Sequence, residues 1–199
     1  MLTIISLKVN QRESRTSCRP WQRILSEVYV AKEKIKIVPF EMRFLKDYYW
    51  GFNTEITKYQ WPDPFETVDD ARELLLEFLK EMENGDTLIY AILTNDDRFV
   101  GSVEMHGLSD DIPEIGVWII ESEQRKGYAF EALNKLIDLA REKFEKNEFY
   151  YEADIRNEGS MKLLNRLADD YGIAEQQLEE VVTDSGKELK LRGYVLRAK

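Results

Sequence analysis

Hydrophobic and polar positions alternate in the first readable segment of the chain. "KIKIVPF", residues 34–40, has the two-residue period of a half-buried strand. Residues 41–53 follow with helical spacing, and Gly51 predicts that this helix ends nearby. Residues 60–65, "QWPDPF", contain two prolines and are therefore predicted to form a loop.

The segment from 67 to 85 carries the clearest helical pattern in this half of the chain. Thr67 is a good N-cap, and Asp70 three residues later completes a variant of the capping box. Gly85 follows the last periodic position, where a helix commonly ends. The predicted apolar face consists of Ala71, Leu74, Leu75, Phe78 and Met82.

Three short apolar segments come next, over residues 87–93, 98–108 and 113–120. Turn-rich gaps of a few residues separate them, so we expect neighbouring antiparallel strands. The remaining pattern predicts a helix that buries Phe130, Leu133, Leu136, Ile137, Ala140 and Phe144, a strand over 148–155, a helix over 157–172, and a hairpin over 177–197 that turns at Asp184, Ser185 and Gly186.

Composition limits the classes of function. The chain has 199 residues and a formal net charge of −10, which argues against broad nucleic-acid binding and is compatible with a cationic substrate. Cys18 is the one cysteine, so no internal disulfide is possible, and a reducing, cytoplasmic location is expected. No segment is long enough to span a membrane. His106 is the one histidine, and no residue spacing suggests a metal site.

Residues 1–30 differ from the rest because five basic residues stand against two acidic ones. We predict a basic N-terminal extension of unknown role over 1–30 and a single domain over 31–199.

The loop "ESEQRKGYA" at the start of the helix that carries Phe130 concentrates features of an anion site. A helix N-terminus offers unpaired N–H groups and the positive end of its dipole. Gly127 allows a ligand to approach the backbone, and Arg125 and Lys126 add positive charge. We expect a pyrophosphate to bind here. The chain lacks the phosphate-loop motif and the dinucleotide-binding glycine motif.

This loop resembles the acetyl-CoA pyrophosphate loop of the GNAT acetyltransferase superfamily, whose pattern [QR]-x-x-G-x-[GA] is matched by Gln124, Gly127 and Ala129. The order of elements over residues 35–197 is also similar to the GNAT fold. "FVGSVEMHGL", "EIGVWI", "QRKGYAFEAL" and "RNEGSMKLLNRL" resemble the branch of ribosomal-protein N-terminal (alanine/serine) acetyltransferases. The resemblance implies an α+β fold with a mixed, mostly antiparallel twisted sheet of about six to seven strands and helices on both faces.

The resemblance also implies how acetyl-CoA, the co-substrate, would bind. Val117, Trp118 and Ile119 would pair through their backbones with the pantetheine arm. Gln124 belongs to the motif, and the N–H groups of Arg125, Lys126, Gly127, Tyr128 and Ala129 would hold the pyrophosphate. Asn157 and Ser160 match the N-x-x-[SA] element that lies beside the pantetheine and the leaving thiol in the family. Asn157 is equally suited to be a helix N-cap.

An ammonium acceptor must lose a proton before it attacks the thioester, and a carboxylate can accept that proton. Glu114, ten residues before Gln124, is near the family's usual position for a catalytic glutamate, and Glu104 is the second candidate. Many members use a tyrosine acid four residues after the position of Ser160. Leu164 stands there, so Ser160 becomes the candidate donor to the thiolate, with Tyr151 and Tyr171 as weaker ones.

The resemblance implies direct transfer to a primary amine in a ternary complex, without a metal. Aromatic residues expected near the acceptor are Tyr48, Tyr49, Trp50, Tyr59, Trp61 and Phe65. The acceptor stays open between a protein N-terminus and a small amine such as a polyamine or an aminoglycoside. A non-catalytic acyl-CoA-binding module is the alternative. Homodimers are common in the family, and no nucleic-acid or membrane partner is expected.

Overall fold

One twisted sheet organises the chain in the computed structural model, which describes Tyr29–Val30 and residues 34–199. Its strands are β1 (Tyr29–Val30), β2 (Ile35–Pro39), β3 (Leu88–Thr94), β4 (Phe99–His106), β5 (Glu114–Ile119), β6 (Glu148–Asp154), β7 (Tyr171–Val182) and β8 (Glu188–Ala198). The strand order is β1-β2-β3-β4-β5-β6-β8-β7. Every neighbouring pair is antiparallel except β5 and β6. The expected mixed, mostly antiparallel sheet is therefore confirmed.

Five α-helices cover the two faces of the sheet in the described part of the chain. They are α1 (Leu45–Gly51), α2 (Thr54–Thr57), α3 (Val68–Asn84), α4 (Tyr128–Phe144) and α5 (Glu158–Leu167). Helix α3 has the predicted boundaries: Thr67 and Asp70 form both hydrogen bonds of a capping box, and Gly85 ends the helix in the left-handed conformation.

Each face of the sheet carries its own hydrophobic core. On one face, α4 and α5 pack through residues such as Leu133, Leu136 and Leu167. On the other face, α1 and α3 contribute Tyr48, Ala71 and Leu75. Strand β3 is buried along its whole length because it lies between these cores. The helices on both faces agree with an α+β architecture.

Two predicted helix boundaries are wrong. The helix expected from residue 41 starts as a 3₁₀ turn at Met42–Phe44 and becomes α1 only at Leu45, although it ends at Gly51 as predicted. Asn53 then caps the separate helix α2 by accepting from two backbone N–H groups. The helix expected over 157–172 ends at Leu167, and β7 begins at Tyr171 rather than at 177. Pairing of this segment with β8 overrides its local helical pattern. The predicted turn at 184–186 is confirmed by the hydrogen bond from the Gly186 N–H to the Thr183 carbonyl.

The basic extension over 1–30 lies outside the described residues, except for Tyr29–Val30, which pair with β2. Cys18 also lies outside them. The extension and its boundary with the domain therefore stay predictions.

Strands β5 and β6 diverge, and this divergence positions the site. Their parallel pairing has one register pair, Glu114 with Tyr150, joined by the hydrogen bond from the Tyr150 N–H to the Pro113 carbonyl. Beyond Glu114, one edge of β5 pairs with β4, and the other edge faces a cleft.

Candidate active site

The loop before α4 presents a row of free backbone donors. Among the described residues, the N–H groups from Arg125 to Phe130 donate to no backbone carbonyl, and the first helical bond runs from Glu131 to Gly127. Gly127 adopts a φ of 88° as the N-cap, and Arg125 also has a positive φ of 61°. Successive N–H groups in such a turn converge into a concave anion site. The structure therefore brings together the donors that the sequence predicted for a pyrophosphate.

A buried carboxylate holds this loop in place. Glu123 accepts from Arg98 Nη1 at 2.5 Å and from Lys126 Nζ at 2.8 Å, although its side chain is almost fully buried. These hydrogen bonds from Lys126 and Arg98 hold the pKa of Glu123 below its usual value. Gln124 Nε2 donates to the Ile119 carbonyl at 3.1 Å and joins the loop to the end of β5. The role of Glu123 was not predicted from the sequence. The sequence prediction also assigned the positive charge of Lys126 to ligand binding, whereas Lys126 is paired with Glu123 within the loop.

A hollow of about 470 Å³ adjoins the same loop. Its lining contains four cationic side chains, those of Lys34, Lys126, Lys135 and Arg166, and also the carboxylates of Glu131 and Asp138. The guanidinium of Arg166 lies 3.8 Å from the centre of the Phe130 ring and close to Gly127. Arg166 was not predicted because its 39-residue separation from Gly127 hides their proximity.

A cleft of about 410 Å³ opens where β5 and β6 diverge. Val117 and Trp118 of β5 form one wall, and Tyr151 of β6 forms the opposite wall. Asn157 and Ser160 lie at the end near α5. An extended arm bound between the strands would meet free backbone groups along β5 and would connect the anion loop to this cleft.

Four glutamates line the same cleft: Glu81, Glu104, Glu114 and Glu152. Burial together with the negative charge of Glu152 raises the pKa of Glu114 above its ordinary value. Glu104 accepts from the Ser102 hydroxyl at 2.9 Å and lies 3.3 Å from His106 Nε2. Burial alone would lower the pKa of His106, but the contact with Glu104 and the charges of Glu114 and Glu81 outweigh burial and raise it.

Asn157 and Ser160, which the sequence predicted to lie beside the leaving thiol, both line the cleft. Asn157 caps α5 by accepting from the N–H groups of Gly159 and Ser160 at 3.1 and 3.2 Å. Tyr151, which is buried, shares the cleft lining with Ser160. Burial raises the pKa of Tyr151, and the opposing influence of the Ser160 hydroxyl is smaller. Tyr171 does not line the cleft: its hydroxyl donates to Asn134 Oδ1 at 2.8 Å.

A loop between α2 and α3 covers one side of the cleft with Tyr59, Gln60, Trp61 and Pro62. Lys187 of the β7–β8 turn ties this loop down: its Nζ donates to the carbonyls of Thr57 and Gln60 at 2.9 and 2.8 Å and lies 2.5 Å from Asp63 Oδ1. From the other side, the Arg156 guanidinium lies 5.5 Å from the centre of the Tyr59 ring.

Half of the aromatic residues predicted near the acceptor line the cleft. Tyr48, Tyr59 and Trp61 line the cleft, whereas Tyr49, Trp50 and Phe65 do not. Trp50 is 75% exposed, and Phe65 packs beside Phe52. Within the described residues, there is no cluster of three or more potential metal-binding side chains, and no helix has both the length and the apolar character needed to cross a membrane.

Comparison with known proteins agrees with this geometry. The family model described as "Acetyltransferase (GNAT) domain" matches residues 34–168. A curated relative from Bacillus licheniformis, "Uncharacterized N-acetyltransferase p20", is 28% identical over 123 residues, which are 60% of this chain and 68% of that protein.

Solved structures share the fold. RimL, a ribosomal L7/L12 alpha-N-protein acetyltransferase in complex with coenzyme A, is similar with a TM-score of 0.74 and 13% identity, over 86% of this chain and 98% of that one. The spermidine N-acetyltransferase from Vibrio cholerae, in complex with CoA and spermine, is similar with a TM-score of 0.67 and 19% identity, over 82% of this chain and 96% of that one. At these identities, the likeness establishes the fold alone.

Proposed function

This chain belongs to the GNAT acetyltransferase family, and from that premise we propose that it transfers the acetyl group of acetyl-CoA directly to a primary amine bound in the carboxylate-lined cleft. The observation that carries the proposal is the continuity of the site. Six free N–H groups suit a pyrophosphate, the unpaired edge of β5 suits pantetheine, and the cleft beyond holds carboxylates that suit an ammonium group.

In the proposed reaction, Glu114 accepts a proton from the bound ammonium, directly or through water, and passes it to solvent. The neutral amine attacks the thioester carbonyl, so a C–N bond forms. The C–S bond then breaks, and the departing thiolate takes one of the two protons on the attacking nitrogen, which leaves a neutral secondary amide with one N–H. Ser160 stabilises the thiolate by donating a hydrogen bond. The raised pKa of Glu114 favours this role because a base is most effective when its pKa approaches the working pH.

The assignments in the cofactor site follow the same geometry. Val117, Trp118 and Ile119 pair with pantetheine, Gln124 fixes the loop, and Arg125 through Ala129 bind the pyrophosphate through their N–H groups. Asn157 orients Ser160 by capping α5. The cations around Arg166 suit the remaining phosphate of CoA.

Calorimetry with CoA tests the cofactor site. We expect Arg125→Glu to weaken CoA binding about tenfold or more, because it places a negative charge beside the free N–H groups. Arg141→Glu makes the same charge reversal in the last turn of α4 and should change the affinity less than about twofold. Equal effects of the two substitutions would contradict the assigned pyrophosphate site.

A thiol-release assay with acetyl-CoA and primary amines tests the transfer itself. Release that depends on the amine supports the enzyme. Tight CoA binding without release for any amine would favour the alternative, a non-catalytic acyl-CoA-binding module on the same scaffold. The cytoplasmic location, the homodimer and the lack of nucleic-acid partners remain predictions, and light scattering would test the dimer.

A further inference from the structure

The four glutamates of the cleft have no strong cationic partner. In the described part of the chain, no lysine or arginine forms an ion pair with Glu81, Glu104, Glu114 or Glu152, and His106 is the one side chain of possible positive charge that pairs with any of them. By contrast, the buried carboxylates of Asp154 and Glu123 each have an arginine partner. The cleft thus concentrates negative charge that the fold leaves unbalanced.

These carboxylates share one side of the sheet. Glu114 lies directly across from His106 in the β4–β5 register, and Glu104 lies across from Gly116. Side chains on one face alternate with a period of two, so Glu104, His106 and Glu114 point to the same face. Neighbours on such a diagonal are about 7–8 Å apart, so the two carboxylates are separate binding points rather than a single one.

Glu81 approaches the same group from helix α3. The Thr87 hydroxyl donates to Glu81 Oε2 at 2.9 Å and lies 3.4 Å from His106 Nδ1. His106 therefore stands between Glu104 and the Thr87–Glu81 pair. Its ring also contacts Phe78, with ring centres 5.1 Å apart. The result is a connected chain of polar groups from Glu81 to Glu104, with a carboxylate at each end.

The rest of the lining also suits a chain of methylene groups that carries cations. Tyr59 and Trp61 offer aromatic faces, which attract both methylenes and ammonium groups. Trp118 lines the cleft beside them, although it is only 6% exposed.

We propose that the acceptor is a linear polyamine, a small molecule with at least two ammonium groups joined by methylene chains. This inference rests on the proposed acetyltransferase function. One nitrogen lies beside Glu114 and is acetylated, while a second, still charged, binds at the Glu81 end of the cleft. An α-amino terminus of a protein brings a single positive charge and would pair with fewer of these carboxylates than a molecule with two or more ammonium groups.

The first experiment compares acceptors on the unmodified protein. Steady-state rates are measured by thiol release with spermidine, with n-butylamine as a shorter monoamine that matches the aminobutyl end of spermidine, and with peptides that have free alanine or serine N-termini. We expect kcat/KM for spermidine to exceed that for butylamine and for the peptides by about tenfold or more, the effect of one additional charge contact. Equal rates for butylamine, or a higher kcat/KM for a peptide, would overturn the polyamine assignment and leave the acetyltransferase intact.

The second experiment locates the distal ammonium. Glu81→Gln should lower kcat/KM for spermidine about tenfold and change that for butylamine less than twofold, because only the longer substrate reaches Glu81. Glu77→Gln makes the same change one turn earlier on α3, outside the cleft lining, and should leave both values unchanged. Melting curves verify that both variants fold. An equal loss for both amines in Glu81→Gln would overturn the assignment, and turnover of no amine despite CoA binding would overturn the proposed function as well.

Discussion

In the proposed reaction, individual side chains of the cleft divide the work between binding and proton transfer. Glu114 lies at the start of β5, where burial and the negative charge of Glu152 raise its pKa, and Glu104 accepts from Ser102 and contacts His106. A carboxylate without fixed hydrogen bonds is freer to accept a proton than one held by two donors. This difference is the reason to assign the base to Glu114 and charge recognition to Glu104.

Replacement of Glu114 tests that division. Glu114→Gln should lower kcat by about 100-fold or more while CoA affinity stays the same, because only the proton acceptor is removed. In the unmodified protein, kcat/KM should rise with pH through the raised pKa of Glu114, and the variant should lose this limb. The control is Glu83→Gln, an exposed change on α3. If turnover is unchanged in Glu114→Gln, Glu114 is not the base, and Glu104 becomes the candidate proton acceptor.

The contacts of His106 predict a pH-dependent stability. Its pKa in the folded protein lies above the ordinary value of 6.5, so the folded state binds the proton more tightly than the unfolded state. The stabilisation is fully present below 6.5 and is lost as pH rises through the folded-state pKa. Melting temperatures between about pH 6 and 8.5 should fall more for the unmodified protein than for His106→Gln. Parallel curves would contradict the raised pKa.

At the scale of elements, the β7–β8 hairpin supports the loop between α2 and α3 that covers one side of the cleft, which we call the acceptor loop. The Lys187 ammonium donates hydrogen bonds to two carbonyls of that loop and forms an ion pair with Asp63. Hydrogen bonds with Lys187 and Ser185 lower the pKa of Asp63. The hairpin contains the edge strand β7, and its turn contacts the loop that lines the cleft.

Removal of this support should weaken binding of the amine acceptor and leave CoA binding unchanged. Lys187→Met is expected to raise KM for the amine about tenfold, with the CoA dissociation constant unchanged, because the loop that carries Tyr59 and Trp61 loses its anchor. Lys190→Met removes an exposed ion pair between Lys190 of β8 and Glu180 of β7 and serves as the control. If both variants have the same KM, the hairpin does not position the loop.

For the whole molecule, stability depends on close contact between β4 and β5 at the centre of the sheet. A Cβ added at Gly101 would lie 2.1 Å from the carbonyl oxygen of Trp118. No L-residue fits there unless one strand moves, and both hydrophobic cores rest on these strands. Gly101 thus maintains the register that aligns Glu104 with Gly116.

Gly101→Ala should lower the free energy of unfolding by about 2–3 kcal/mol, a typical cost of overpacking. For a chain of this size, the melting temperature should fall by roughly 4–10 °C. Gly116→Ala on the neighbouring strand is the control for stability, because nothing lies within 4 Å of its added Cβ. A melting temperature of Gly101→Ala within 1 °C of that of Gly116→Ala would show that the strands can separate at little cost.

The sequence by itself determined the features that depend on local chemistry. The capping box of α3, the αL glycine after it, the alternation in β2 and the anion loop before α4 are all contained within a few consecutive residues, so their spacing was sufficient to predict them. The motif also led to the family, which the match over residues 34–168 confirmed.

Only the tertiary structure decided which distant residues share the site. Arg98 with Glu123, Arg166 with Gly127, Glu81 with His106 and Lys187 with the acceptor loop are separated by 25 to about 130 residues. The early start of β7 likewise followed from pairing with β8 rather than from its own pattern. Such contacts arise from strand order and helix packing, and a sequence pattern of short period carries no information about them.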